Sequence, residues 1–274
     1  MKLNKRRIFQ IYHFKLLAWI ALLLEVGCGS QLAHQLVNIN IFSDEEEVKL
    51  GREFADKIET KLQFHTDLSI TAYINDLGQR LVSHSKRQNI NYHFKVVNAE
   101  EINAFAIPGG YVYVNLGLIR FADTEAELAG VMAHEVGHVV GKHGMKQLTK
   151  QYGLAALAQL LLGKDPGRLE ELATQVVTSG FLLKYSREAE READLLATEE
   201  MHSAGINPAG MANFFEKLLS AEKRQPTKVE QLISTHPGTS ERITNVRQQI
   251  QQLPPKSYDP EISTRFQSIK RRLS

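Results

Sequence analysis

Two histidines four residues apart, with a glutamate directly after the first, form the segment from His134 to His138. A helix is predicted to begin just before this segment, because Thr124 and Glu127 match the capping-box pattern. An apolar stripe at helical spacing follows: Leu128, Val131, Met132 and Val139. Side chains at positions i and i+4 lie on one face of a helix, one turn apart. The two imidazoles are therefore expected to project together, whereas Glu135 projects about 100° away around the helix axis.

Two imidazoles in this arrangement can bind one zinc ion at about 2.0–2.1 Å. Glu135 cannot bind the same ion, but it can contact a water beside the ion and act as a general base. This arrangement is the HExxH motif. The alternative is a helix with two incidental histidines. Two small residues, Ala133 just before the motif and Gly137 within it, leave room for close packing and favour a metal site. We therefore expect one Zn²⁺ per chain, bound by His134 and His138.

A catalytic zinc site needs a third protein ligand and one open position. The extended pattern HExxHxxGxxH would place a histidine at position 144, but that residue is Gly144. His143 comes one place early, which rotates its side chain by about 100°, so we reject it as a ligand and interpret it as a helix-end residue.

A second candidate is the charged, helical stretch from Ser186 to Asp194, about 50 residues further on. Glu190 and Asp194 share one face of this predicted helix. That face is either solvated, as most charged faces are, or it lies against the first helix. In the second case Glu190 binds zinc and Asp194 accepts a hydrogen bond from the other nitrogen of a ligand histidine.

The remaining pattern predicts an α+β fold that is mainly helical, with a small antiparallel sheet packed near the HExxH helix. Apolar residues recur at helical spacing from Ser43 to Leu62 and from Leu68 to Lys86. Two alternating or apolar stretches then predict strands, one from Ile90 to Val96 and one from Tyr111 to Val114. The polar segment from Lys223 to His236 contains a proline and is interpreted as a mobile loop.

The chain has 274 residues and a formal net charge of +2. Five basic residues against one acidic residue lie in residues 1–27, so the rest of the chain is nearly neutral. It therefore lacks the excess of positive charge that is typical of a protein that binds nucleic acid.

The basic stretch at the start precedes an apolar run from Leu16 to Leu24, which is shorter than the roughly 20 residues of a membrane-spanning helix. This pattern is typical of a signal peptide, and the alternative is an uncleaved N-terminal anchor. Cys28 is the only cysteine and resembles the lipid-attachment residue of a bacterial lipoprotein, although Glu25 departs from that motif. The expected division is a leader at 1–27, a linker at 28–42, a metallopeptidase domain at 43–253 and a C-terminal tail at 254–274.

Four motifs together resemble the membrane-associated gluzincin peptidases, the family of HtpX, the CAAX prenyl endopeptidases, the mitochondrial Oma-type protease, BepA and LoiP. The similarity extends from about Glu45 to Ile250 and is greatest for the short periplasmic members. The motifs are the strand and turn at 103–118, the HExxH helix at 134–138, the charged helix at 186–194, and the segments Thr235-His236-Pro237 and Glu241-Arg242-Ile243. The resemblance implies that Glu190 is the third zinc ligand and that Asp194 supports a ligand histidine. It also implies that His236 lies near the open zinc position.

The hypothesis is a zinc-dependent endopeptidase that cleaves unfolded or misassembled envelope proteins, with substrate added as a strand near Ala104 to Ala106. Either His236 or Arg242 is expected to stabilise the oxyanion, and His236 is alternatively a gate that occupies the open position. The expected location is the periplasmic side of the cell envelope, with a lipid or peptide anchor in the membrane. The competing hypotheses are a zinc-containing chaperone or binding module without turnover, and a membrane-attached interaction protein without metal.

Overall fold

The computed structural model describes residues 42–179, 184–224, 226–237, 239–260 and 263–273. The predicted signal peptide or anchor and the predicted lipid attachment at Cys28 lie outside these residues, as does most of the predicted linker. No helix within the described ranges is both long and apolar enough to cross a membrane.

Helices make up most of the described chain. In chain order they are α1 (Asp44–Glu59), α2 (Leu68–Val82), α3 (Leu116–Phe121), α4 (Glu125–Val140), α5 (His143–Leu161), α6 (Pro166–Ser179), α7 (Arg187–Ser203), α8 (Ala209–Glu222), α9 (Pro226–Thr235), α10 (Thr239–Gln252) and α11 (Thr264–Arg272). Ser43 and Glu46 form a capping box at the start of α1, where each side chain accepts a hydrogen bond from the other residue's backbone N–H. Helix α4 begins after Thr124, as predicted.

Three strands form one small sheet: β1 (His93–Val97), β2 (Ala104–Ile107) and β3 (Tyr111–Asn115). The order is β1-β3-β2; β2 pairs with β3 antiparallel, and β1 pairs with β3 parallel. The α+β class is therefore confirmed, but the sheet is mixed and not purely antiparallel. Side-chain alternation reports which residues share a face of a strand. It carries no information on the direction of the neighbouring strand, so it could not reveal that β3 inserts between β1 and β2.

Both faces of the sheet are covered. Phe105 and Tyr113 pack with α1, α5 and α6 in one cluster, whereas Ala104, Ala106 and Val112 pack with α2 and α4 in the other. The two alanines leave little side-chain volume between β2 and the helix behind it, so α4 can lie close to that edge of the sheet.

Helix α4 is also in close contact with α7. A Cβ atom at Gly137 would lie 2.7 Å from the carbonyl oxygen of Ala193, a distance that real Cβ atoms do not adopt. Glycine at this position therefore allows the two helices to approach backbone to backbone. The approach brings the residues of α7 within reach of the histidines on α4.

The segment from Lys223 to His236 is not a loop, contrary to the prediction, because most of it forms α9 (Pro226–Thr235). Val229 and Leu232 are buried at a spacing of three residues, which fits one face of a helix. Pro226 is the first residue of the helix, where its missing N–H costs nothing, so the proline begins the helix and does not interrupt it.

The segment expected as a C-terminal tail contains α11, which packs against α2. Phe266 and Ile269 are buried in the same core cluster as α4. The Phe266 ring lies 6.3 Å from the ring of Tyr73. Helix α11 is therefore part of the folded body.

Candidate metal centre and catalytic site

Four side chains from three parts of the chain converge on one buried point. His134 and His138 come from α4, Glu190 comes from the first turn of α7, and His236 directly follows α9. One ligand atom from each of the four residues lies within 4.8 Å of the others. All four side chains are buried, with at most 4% of each residue exposed.

The nearest distances within this cluster join atoms that commonly bind metals. His138 Nε2 lies 3.0 Å from His134 Nε2, and His236 Nδ1 lies 3.2 Å from His134 Nε2. Glu190 Oε1 lies 3.1 Å from His236 Nδ1 and 3.4 Å from His138 Nε2. Neutral imidazole nitrogens brought together in this way present lone pairs to one another, an arrangement that a shared cation stabilises.

The chemistry of the donors fits zinc. Three imidazole nitrogens and one carboxylate are ligands that Zn²⁺ accepts in tetrahedral sites. Calcium and magnesium prefer sites made of oxygen atoms, so this set does not suit them. The buried Glu190 Oε2 has no hydrogen-bond partner within the described part of the chain, although Arg242 Nη1 lies 2.9 Å away as an ion pair. A buried carboxylate among histidine nitrogens is the feature expected of a metal ligand.

Glu135 lies beside the four donors and is itself buried. Its Oε1 atom is 3.5 Å from His236 Nε2 and accepts no hydrogen bond from any described residue. Burial raises the pKa of Glu135, while His236, His134 and the backbone N–H of Ala106 in β2 act in the opposite direction. The carboxyl group is thus placed between the cluster and the edge strand with one oxygen uncommitted, which suits a group that must accept a proton from a water.

Asp194 contacts the opposite side of His134. Its Oδ1 atom is 2.9 Å from His134 Nδ1, one turn further along α7 than Glu190. Because Nδ1 is occupied by this contact, Nε2 of His134 is directed to the centre of the cluster. Burial alone would raise the pKa of Asp194, but the Arg242 guanidinium and His134 together hold the pKa below its usual range.

Arg242 on α10 pairs with the carboxylates of Asp194 and Glu190. Its Nε and Nη2 atoms donate to the two oxygens of Asp194 at 2.8 and 2.7 Å, and Nη1 pairs with Glu190. The guanidinium also lies 4.2 Å from the centre of the Phe215 ring. All three guanidinium nitrogens therefore contact carboxylates of α7.

The structure also reveals two contacts of His138 that the sequence argument did not predict. His143 is buried, and its Nδ1 atom is 2.8 Å from His138 Nδ1. The ring of Tyr185 stacks on the His138 ring at 3.9 Å with an angle of 19°. His143 is thus not among the converging donors, as predicted, but it is more than a helix-end residue. The rotation argument assumed that α4 continues past Gly141, whereas the chain turns there and starts α5.

Comparison with known proteins identifies the family to which this arrangement corresponds. A profile of the family described as Peptidase family M48 matches residues 69–250, which is more than half of the chain. The matched range contains His134, His138, Glu190, Asp194 and His236.

Several characterised proteins are similar over most of this chain. The beta-barrel assembly-enhancing protease of Escherichia coli (strain K12) is 32% identical over 77% of this chain and 45% of its own length. Metalloprotease LoiP of the same organism is 32% identical over 65% of this chain and 68% of its own length. The mitochondrial metalloendopeptidase OMA1 of Schizosaccharomyces pombe is 28% identical over 65% of this chain and 52% of its own length. The chain thus spans about half the length of the first of these relatives.

Proposed function

Because the chain belongs to peptidase family M48, we propose that it is a zinc-dependent endopeptidase that cleaves unfolded or misassembled proteins of the cell envelope. The observation that carries the proposal is the buried carboxylate of Glu135, which lies directly beside four converging metal-binding side chains. A structural zinc site has no use for an uncommitted base at this position, whereas a hydrolase requires one.

We assign His134, His138 and Glu190 as the protein ligands of one zinc ion. Bound there, zinc would supply a Lewis acid that activates a water and polarises a peptide carbonyl. Asp194 holds His134 in the tautomer whose Nε2 atom is free to bind, and Arg242 holds Asp194 and Glu190 in place.

Glu135 acts as the general base in this proposal. Its free Oε1 atom accepts a proton from the attacking water, and the same carboxyl group then delivers that proton to the amide nitrogen that leaves. Burial supports both proton transfers, because it raises the pKa of Glu135 toward the range in which a carboxyl group can accept a proton and donate it again.

His236 and Arg242 were the two candidates for stabilising the oxyanion. The nitrogens of Arg242 are committed to Asp194 and Glu190, which favours a supporting role for this residue. His236 instead lies on the side of Glu135, with its Nδ1 atom among the donors. We propose that His236 occupies the fourth zinc position in the resting enzyme and leaves it when substrate binds.

The edge of the sheet is the proposed substrate-binding element. Strand β2 pairs with β3 on one side only among the described residues, and the Ala106 backbone reaches Glu135. An extended peptide could add to this edge as a further strand, which favours unfolded chains over folded ones. Since β2 is fully buried, the elements that cover it must move before substrate can bind.

The names of the relatives support an envelope location, since one enhances beta-barrel assembly. We propose that residues 1–27 are a signal peptide or anchor, that residues 28–42 link it to the peptidase domain, and that lipid on Cys28 holds the enzyme at the periplasmic side of the membrane. The partners in this proposal are misfolded polypeptides and the membrane surface, with no nucleic acid.

The test is cleavage of a denatured outer-membrane β-barrel protein by the zinc-loaded chain, compared with Glu135→Gln. We expect the variant to keep its zinc and to lose at least about 100-fold in rate, the lower end of the effect of general acid–base catalysis. Cleavage by the variant at nearly the wild-type rate would remove Glu135 as the base. Zinc binding by the wild type without cleavage of any denatured protein would instead favour the chaperone or binding module.

A further inference from the structure

We propose that His143 and Glu192 are positioning residues that orient the zinc ligand His138 through a hydrogen-bond chain. The inference rests on the proposed function, because it takes His138 to be a metal ligand. The chain runs from His138 Nδ1 to His143 Nδ1 at 2.8 Å, and from His143 Nε2 to Glu192 Oε2 at 3.2 Å.

Only one placement of protons satisfies both contacts with neutral rings. The Glu192 side chain is half exposed and its carboxylate oxygen accepts a hydrogen bond, so His143 Nε2 must carry the proton. His143 Nδ1 then has a free lone pair, which accepts the N–H of His138 Nδ1. This assignment leaves His138 Nε2 without a proton, facing His134 Nε2 at 3.0 Å. The chain therefore selects the tautomer of His138 that can bind a metal.

The local backbone is built to bring His143 to this place. Lys142 has φ +53° and ψ +32°, the only non-glycine residue with positive φ among those the structure describes. This left-handed conformation is unfavourable for a residue with a side chain. It reverses the chain after α4, so that the first residue of α5 lies against His138.

Gly141 provides the space for the His143 ring. A Cβ atom at position 141 would lie 2.5 Å from His143 Nε2, so any other residue would displace the imidazole from its contact with Glu192. On the remaining face of His138, Tyr185 stacks on the ring. The ligand ring is thus fixed in plane by His143 and out of plane by Tyr185.

The two ligand histidines of α4 are then supported by different means. His134 donates directly to a buried carboxylate, Asp194, whereas His138 reaches a carboxylate at the surface through a second imidazole. Partners of this kind fix the orientation of a metal ligand, and their loss typically weakens metal binding by about 10–100-fold.

The test measures the zinc dissociation constant by competition with a chromophoric chelator, for the wild type, three variants and a control variant. In His143→Phe the ring shape is kept and both nitrogens are lost, and we expect zinc binding about 10–100-fold weaker. His143→Asn returns a hydrogen-bond acceptor near the Nδ1 position and should recover most of the affinity. Glu192→Ala should fall between the wild type and His143→Phe. The matched control is Glu188→Ala, which removes an exposed carboxylate from the same helix without touching His143.

Thermal unfolding of the zinc-free proteins separates positioning from folding. We expect the half-exposed Glu192 to be replaceable with no change in the unfolding midpoint, so a weaker zinc affinity in Glu192→Ala reports on the centre itself. Affinities within about twofold of the wild type in both His143→Phe and Glu192→Ala would overturn the hydrogen-bond chain alone. A wild-type protein that binds no zinc would overturn the proposed function, and the hydrogen-bond chain with it.

Discussion

Glu200 on α7 offers a test of the electrostatics of this fold away from the zinc cluster. Glu200 is 2% exposed, and neither of its carboxylate oxygens has a hydrogen-bond partner among the described residues. Burial raises the pKa of Glu200 from 4.5 to about 8, with neighbouring Glu199 acting in the same direction and Ser85 opposing it. The native protein therefore holds a proton on Glu200 at neutral pH, whereas the unfolded chain does not.

The sign of the pH dependence follows from this difference. A carboxyl group with a raised native pKa stabilises the fold most fully below pH 4.5, and stability then falls as pH rises to about 8. Each pKa unit corresponds to about 1.4 kcal/mol, so the loss approaches about 5 kcal/mol above pH 8 if the native structure does not relax. Glu200→Gln has no ionisable group at this site, so the variant should lack this part of the loss.

The assay is urea unfolding of the wild type and Glu200→Gln at intervals from about pH 5 to pH 9. We expect the difference in unfolding free energy to grow with pH in favour of the variant, by several kcal/mol across the range. Both proteins carry the same zinc residues, so the pH dependence of zinc binding cancels in the difference. Glu199→Gln is the matched control, since Glu199 is partly exposed and paired with Lys86. Parallel stability curves for the wild type and Glu200→Gln would refute the buried, protonated carboxyl.

Three further predictions concern the site and the leader. Asp194→Asn should weaken zinc binding by about 10–100-fold and lower the free energy of unfolding, because it leaves the buried Arg242 with one carboxylate, that of Glu190, in place of two; chelator competition and urea unfolding measure the two effects. His236→Ala should raise the basal rate of cleavage of an unfolded substrate at saturating zinc, since the blocked fraction disappears; slower cleavage with unchanged zinc would assign His236 to the oxyanion instead. Mass spectrometry of the native N-terminus should find lipid-modified Cys28 as the first residue, and an intact Met1 would contradict that assignment.

The sequence predicted the residues of the cluster better than the path of the chain around it. Spacing along one helix places His134 and His138 together, because four residues make about one turn. No local rule brings Glu190 beside them from about 50 residues away; the motif resemblance suggested it, and the contact of Gly137 with Ala193 explains how α7 comes close enough.

The wrong predictions concern features that local sequence patterns do not determine. The alternation in β1 identified its buried face correctly, but it could not report that its neighbour β3 runs parallel. Pro226 was interpreted as an interruption although it begins α9, because position within a helix decides what a proline does. His143 was dismissed on the rotation of a continuous helix, and the left-handed residue Lys142 breaks that continuity.

The zinc centre itself is the central claim, and X-ray absorption at the zinc edge of the purified chain tests it most directly. The account predicts one zinc per chain, bound only by nitrogen and oxygen atoms at about 2.0–2.2 Å, with imidazole scattering from His134 and His138. It further predicts that Glu190→Ala loses tightly bound zinc while remaining folded. A wild-type chain without zinc, a sulfur ligand in its absorption spectrum, or full retention of zinc by Glu190→Ala would contradict the assignment.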